Sequence, residues 1–149
     1  MKNTLKLIMA LFLIITVCIF PGCTKENGGK AMKQNGSLAS LDYPLVSQSG
    51  KYEAVIEAFD DDGVRSFKLF ISDINNNDSP YEADITFRTR DRNYVFWADE
   101  EDILWCYSGD IGTYFWLKEN GTWTKKIYAD NPEAIVPQAL KEARPNKYK

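Results

Sequence analysis

"TYFWLKENGTWTKKIY", residues 113–128, holds two runs of alternating side chains on either side of one dipeptide. In the first run Tyr114 and Trp116 fall on one side, Phe115 and Leu117 on the other. Aromatic and β-branched residues in period two read as a strand. Asn120-Gly121 is the strongest short hairpin signal, because a type I′ turn needs positive φ at both central residues. The second run, "TWTKKIY", is therefore the returning strand. Trp123 and Lys125 share one of its faces.

Working towards the N-terminus, the same grammar repeats. "ILWCY" (103–107) places Ile103, Trp105 and Tyr107 opposite Leu104 and Cys106. "NYVFW" (93–97) places Tyr94 and Phe96 opposite Val95 and Trp97. Turn-forming stretches, "ADEED" and "SGDIG", separate the runs. A strand apolar on both sides must be covered on both sides. The earlier runs are different. "KYEAVIEAF" (51–59) sets Tyr52, Ala54, Ile56 and Ala58 against Glu53 and Glu57, and "RSFKLFIS" (65–72) groups Phe67, Leu69 and Ile71, with the turn "DDDG" (60–63) between them. "EADITFRTR" (82–90) alternates without a break: Ala83, Ile85, Phe87 and Thr89 inward, Asp84, Thr86, Arg88 and Arg90 outward.

The pattern changes in "NPEAIVPQALKEARP" (131–145). Asn131 can cap a first helical turn begun by Pro132. Pro137 ends that turn, so a second short helix is expected from about Pro137 to Ala143. This segment is a candidate cover for the second apolar face of the aromatic strands. About seven strands joined by short loops imply an all-β fold, mainly an antiparallel meander closed as a small barrel or folded as a sandwich, with a short C-terminal helix. One domain, residues 41–149, holds all of this.

Ahead of that domain lie two different segments. "TKENGGKAMKQNGSLAS", Thr24 to Ser40, has no apolar period and reads as a flexible tether. As a coil it spans roughly 23 Å. Before it, Lys2 and Lys6 precede 14 largely apolar residues, Leu7 to Phe20, and then Pro21, Gly22 and Cys23. A helix needs about 20 residues to cross a bilayer, so the run is too short to span one. A basic start, a short apolar centre and a small residue at its end describe a secretory signal peptide over residues 1–22. An ordinary cleavage site has small residues at −1 and −3, but Phe20 stands at −3 from Cys23.

An apolar residue at −3, a small one at −1 and then cysteine resembles the lipobox of bacterial lipoproteins. Pro21 and Phe20 depart from that family's commonest residues. The resemblance implies acylation of the Cys23 thiol, palmitate included, and a new N-terminus there. It also implies a lipid-anchored position in the cell membrane or outer membrane, facing away from the cytoplasm. The downstream domain is only loosely similar to small lipoprotein domains of unknown function. Two or three acyl chains would make a lasting anchor, since one chain alone binds marginally.

Composition excludes several chemistries. The chain has no histidine. That rules out Ser-His-Asp and Cys-His catalysis and the HExxH zinc site. Removing residues 1–22 takes away Lys2 and Lys6 and no acid, so the net charge moves from −3 to −5. An acidic body argues against nucleic acid, whose binding draws most of its affinity from Lys and Arg on phosphate. The basic end, with Lys141, Arg144, Lys147 and Lys149, reads as a solvated terminus. Cys18 leaves with the signal peptide and Cys23 is expected to carry lipid, so Cys106 is left without a partner for an internal disulfide, and it reads as core.

No catalytic residue, cofactor or metal ligand is expected. The reading is a non-enzymatic binding or inhibitory module whose partner is an envelope protein or a glycan. Trp123 with Lys125, on what reads as an edge strand, is the foremost candidate surface, and Trp116, alternating with Lys118, the next. Two alternatives stay open. The acid clusters Asp60–Asp62 and Asp99–Asp102 could serve a carboxylate-dependent enzyme acting on glycans. "DINNNDSPYEAD", Asp73 to Asp84, resembles a calcium loop at Asp73, Asn75 and Asn77, but carries Asp78 where the turn glycine belongs.

Overall fold

The computed structural model describes residues 44–148. The signal peptide, Cys23 and the tether expected from the sequence lie outside the described residues. Two antiparallel sheets make up the domain. The first holds β1 (Leu45–Val46), β2 (Tyr52–Asp61), β3 (Val64–Asp73), β4 (Tyr81–Glu82) and β5 (Phe87–Arg88). β1 lies on the far side of β2, while β4 and β5 both pair with the other edge of β3. The second sheet is a four-strand meander of β6 (Asn93–Trp97), β7 (Leu104–Ser108), β8 (Gly112–Glu119) and β9 (Thr122–Ile127).

The hairpin expected at Asn120-Gly121 and the turn expected in "DDDG" are both present. Asn120 (φ 51°) and Gly121 (φ 83°) close β8 onto β9, with Glu119 opposite Thr122. Asp62 (φ 48°) and Gly63 (φ 81°) close β2 onto β3, with Asp61 opposite Val64. Positive φ at both central residues is the type I′ geometry that matches strand twist.

The sheets pack face to face. Ala54, Phe67, Leu69, Ile71 and Phe87 from the first meet Val95, Leu104, Cys106 and Trp116 from the second in one core. The other face of the second sheet carries Phe96, Trp105, Tyr107 and Phe115, packed under Val136, Leu140 and Tyr148. The C-terminal segment is therefore the cover that the doubly apolar strands require. It contains a 3₁₀ turn (Tyr128–Asp130) and the helix α1 (Gln138–Ala143).

Two local expectations change. Asn131 caps no helix; it ends the 3₁₀ turn, and its side-chain N–H donates to the Ile127 carbonyl (2.8 Å). The basic end is not a solvated terminus as far as Tyr148. Arg144 and Lys147 sit over the Tyr107 ring at 4.9 and 4.7 Å, and the Tyr148 hydroxyl bonds Thr113. Burial foremost raises the Tyr148 phenol above its ordinary range.

"EADITFRTR" does not form one strand. Glu82 pairs with Phe70 and Phe87 with Phe67, so four residues, 83–86, oppose two on β3. This two-residue bulge leaves Ala83 and Phe87 buried and Asp84 exposed, all as expected from alternation. Bulges re-aim side chains in this way.

Candidate binding surfaces

The expected surface sits on the β8–β9 hairpin. Register places Trp116 opposite Lys125 and Lys118 opposite Trp123. All four therefore share the face turned towards the first sheet. Trp116 is wholly buried, on a strand flanked by β7 and β9. It is core and not a platform, which corrects the expectation drawn from its alternation with Lys118. Lys118 has the same parity but stands nearer the turn, where that face opens to solvent.

Trp123 is half-buried. Its ring meets Tyr52 edge-on at 5.0 Å and tilts against Trp97 at 6.2 Å. The Trp97 indole N–H donates to the Leu45 carbonyl (2.8 Å), fixing this cluster to β1. Lys118 lies over Tyr52 at 4.9 Å and reaches Trp123 at 6.0 Å. Such contacts contribute about 0.5–1 kcal/mol at exposed sites. The aromatics thus seal one end of the sandwich against each other.

Lys125 pairs with Asp84 (2.7 Å), joining β9 to the bulge of the other sheet. Asp84 is 65% exposed, so water and salt screen the pair. Beside it, burial and then the Asp84 charge raise the Tyr81 phenol above its ordinary range, with the Trp116 indole and Lys125 pulling the other way. The Trp116 N–H makes only this loose approach and otherwise lacks an acceptor.

The acidic stretches hold structure together. The Asp102 carboxylate accepts from the Ser49 hydroxyl (2.8 Å), tying the β6–β7 loop to the β1–β2 turn. Asp99 accepts the Gln138 backbone N–H (2.9 Å) and so caps α1 from a distant loop. Asp60 and Asp61 end β2, and Asp62 stands in the tight turn. In the loop that resembles a calcium site, Asp73 accepts the Asn75 N–H (3.0 Å), Asp78 accepts from Asn76, and Asp84 faces Lys125. Among the described residues no three acidic or cysteine side chains gather where they could hold a metal ion. Cys106 is fully buried, and burial pushes its thiol far up, which makes it inert to attack.

Sequence reasoning missed a different surface. On the outward face of the first sheet, Phe59 and Phe70 line an open groove of about 290 Å³ with Glu57, Lys68 and Glu82. Both rings are half-buried, and Val55 follows the same parity. Lys68 lies over Phe59 at 5.9 Å and pairs with Glu82. Parity contained the signal: Val55 and Phe59 fall with Glu57, and Phe70 with Lys68, opposite the inward series Tyr52, Ala54, Ile56 and Phe67, Leu69, Ile71.

Fold and surface together define a two-sheet antiparallel sandwich, sealed on one outer face by its C-terminal segment and, among the described residues, uncovered on the other. No protein-family model, curated protein or solved structure matches the chain.

Proposed function

We propose that this chain is a lipid-anchored protein of the bacterial cell envelope, acylated at Cys23, whose sandwich is a non-enzymatic binding module. The anchor reading is supported by the Lys2–Cys23 stretch, with its basic start, short apolar run and cysteine after Gly22. The single observation that carries the binding reading is the groove between Phe59 and Phe70. The second sheet's apolar outer face is covered by the C-terminal segment, while Val55, Phe59 and Phe70 have no comparable cover among the described residues. Apolar rings framed by charges of both signs suit a protein partner that supplies an apolar anchor and a polar rim. Engagement of Asp99 and Asp102 in backbone and hydroxyl contacts supports binding over carboxylate catalysis.

Two measurements test this. Labelled palmitate should enter the full chain and not a Cys23→Ser variant, which should leave the membrane fraction. A photo-crosslinker in place of Glu57, which also lines the groove, should trap one envelope protein, and adding Phe59→Glu with Phe70→Glu should abolish that adduct without lowering the unfolding midpoint. Crosslinks unchanged by both charges would refute the groove as the contact.

A further inference from the structure

Cations collect where the C-terminal segment crosses the second sheet. Arg144 and Lys147 lie over one ring, Tyr107, at 4.9 and 4.7 Å. Both cations are therefore held within about 10 Å of each other, the Debye length at about 0.1 M salt. The ring is buried, and the Lys147 N–H donates to the Arg144 carbonyl (2.9 Å), so a closed turn on a fixed base carries the pair. Lys141 stands one helical turn before Arg144, in the last turn of α1. Arg92 joins them from the sheet itself. The Gly109 N–H donates to its carbonyl (2.8 Å), and a Cβ on Gly109 would meet the Arg92 Cβ at 3.8 Å. Arg92 and Gly109 are thus neighbours on adjacent strands, with the parity of Tyr94 and Tyr107, which face the C-terminal segment. Nearby acids are engaged elsewhere. Asp91 and Asp110 both pair with Arg88, and Glu142 accepts from the Gln138 amide. The Asp60–Asp62 turn belongs to the first sheet, on the far side of the core.

We propose that this flank, with Arg92, Lys141, Arg144 and Lys147, docks on a surface of anionic phospholipid headgroups. Charge selects the occupant. The flank is basic in a chain whose net charge is −3, so an anionic surface attracts this side and repels the rest. Cations spread over a flank match a plane of many single phosphate charges better than they match one small anion. Each Lys or Arg near such a surface raises partitioning roughly fivefold. The proposal rests on the envelope reading to this extent: the anchor supplies the local concentration that turns a weak contact into a lasting one. Residues 24–43 can reach at most about 70 Å, enough for the sandwich to lie on its C-terminal flank. Docking also orients the domain. The C-terminal segment covers the outer face of the second sheet, while Phe59 and Phe70 lie on the outer face of the first. With one flank on the headgroups, the groove points away from the bilayer.

Photo-crosslinking in vesicles reads the contact. The full chain, with a photo-crosslinker in place of exposed Asn146, is reconstituted in phosphatidylcholine vesicles with or without an equal share of phosphatidylglycerol. A lipid adduct should form in the anionic vesicles and fall about tenfold or more in the neutral ones. It should fall likewise in salt of about 1 M, where the Debye length is about 3 Å. Arg144→Gln with Lys147→Gln removes two charges and should lower the adduct roughly 25-fold. The exchanged pair, Arg144→Lys with Lys147→Arg, keeps both charges and should keep the adduct. A crosslinker in place of Glu57 should give no lipid adduct in either vesicle. Equal adducts in neutral vesicles overturn the proposal, as does an adduct that survives the double Gln substitution or is lost in the exchanged pair. So does a crosslink to a second copy in place of lipid, or lipid adducts as strong from position 57 as from 146. The Cys23→Ser chain, mixed with excess vesicles, should form the adduct on anionic lipid only. That result beside a parent chain that takes up no palmitate would fail the anchor and leave the docking flank standing.

Discussion

Leu140→Ala tests whether the C-terminal segment is part of the core. Leu140 is fully buried against the outward face of the second sheet, with Phe96, Trp105, Tyr107 and Phe115 around it. Removing such a side chain from a rigid core costs about 2–5 kcal/mol, the higher values where the cavity cannot collapse. α1 has only six residues and draws its cap from Asp99, so it can settle part-way into the space. About 3 kcal/mol is the expected loss, equivalent to a midpoint lowered by roughly 12–24 °C in a domain of this size. Urea unfolding followed by tryptophan fluorescence measures it, with the denaturant slope unchanged. Ile135→Ala is the control: at 84% exposed in the same segment, it should stay within about 0.5 kcal/mol of the parent. The Leu140 variant should also bind a dye specific for apolar surface, as the aromatic face is uncovered more often. A loss under about 1 kcal/mol with no added dye binding would mean that the segment does not cover the sheet, and the reading of the doubly apolar strands would fail with it.

Gly121→Ala forces an L side chain to φ 83° in the β8–β9 turn, and about 1–2 kcal/mol of stability should be lost although nothing lies within 4 Å of the new methyl. The same substitution at Gly109, which has no positive φ and an ordinary 3.5 Å contact with the Arg92 carbonyl, should cost less, and equal losses would refute the turn assignment. Cys106 and Tyr148 both have raised values in the folded state, so the unfolded chain releases their protons first. Their contribution to stability is complete below about pH 8.5 and is lost progressively as pH rises from there. Unfolding midpoints should therefore fall on the alkaline side, and a thiol reagent at pH 8 should label Cys106 only as fast as the domain opens. Prompt labelling of the native protein would contradict the burial.

Much of this fold could be read from local chemistry. Asp62-Gly63 and Asn120-Gly121 demand positive φ, and that demand is met by the two residues themselves. Alternation likewise announced the long strands, because a pleated chain shows successive side chains to opposite faces. The bulge at residues 83–86 was hidden for a definite reason. Two extra residues preserve parity, so Ala83, Ile85 and Phe87 alternate as they would in an unbroken strand. Only pairing with β3 exposes the slip, and only the folded sheets bring Asp84, already outward by parity, to Lys125.

The candidate surface shows the same division. That Trp116 and Trp123 share a face with Lys118 and Lys125 followed from the sequence alone, because parity is a property of one strand. Which of the two apolar faces meets the other sheet did not, because both faces of the strand are equally greasy. Packing of the sheets buried Trp116, leaned Trp123 on Tyr52, and engaged Lys125 with an acid 41 residues earlier. It also left Phe59 and Phe70 facing outward. A strand's alternation is set by bonds between neighbours, but the partner of each face is set by contacts between distant segments, and those exist only once the chain has folded.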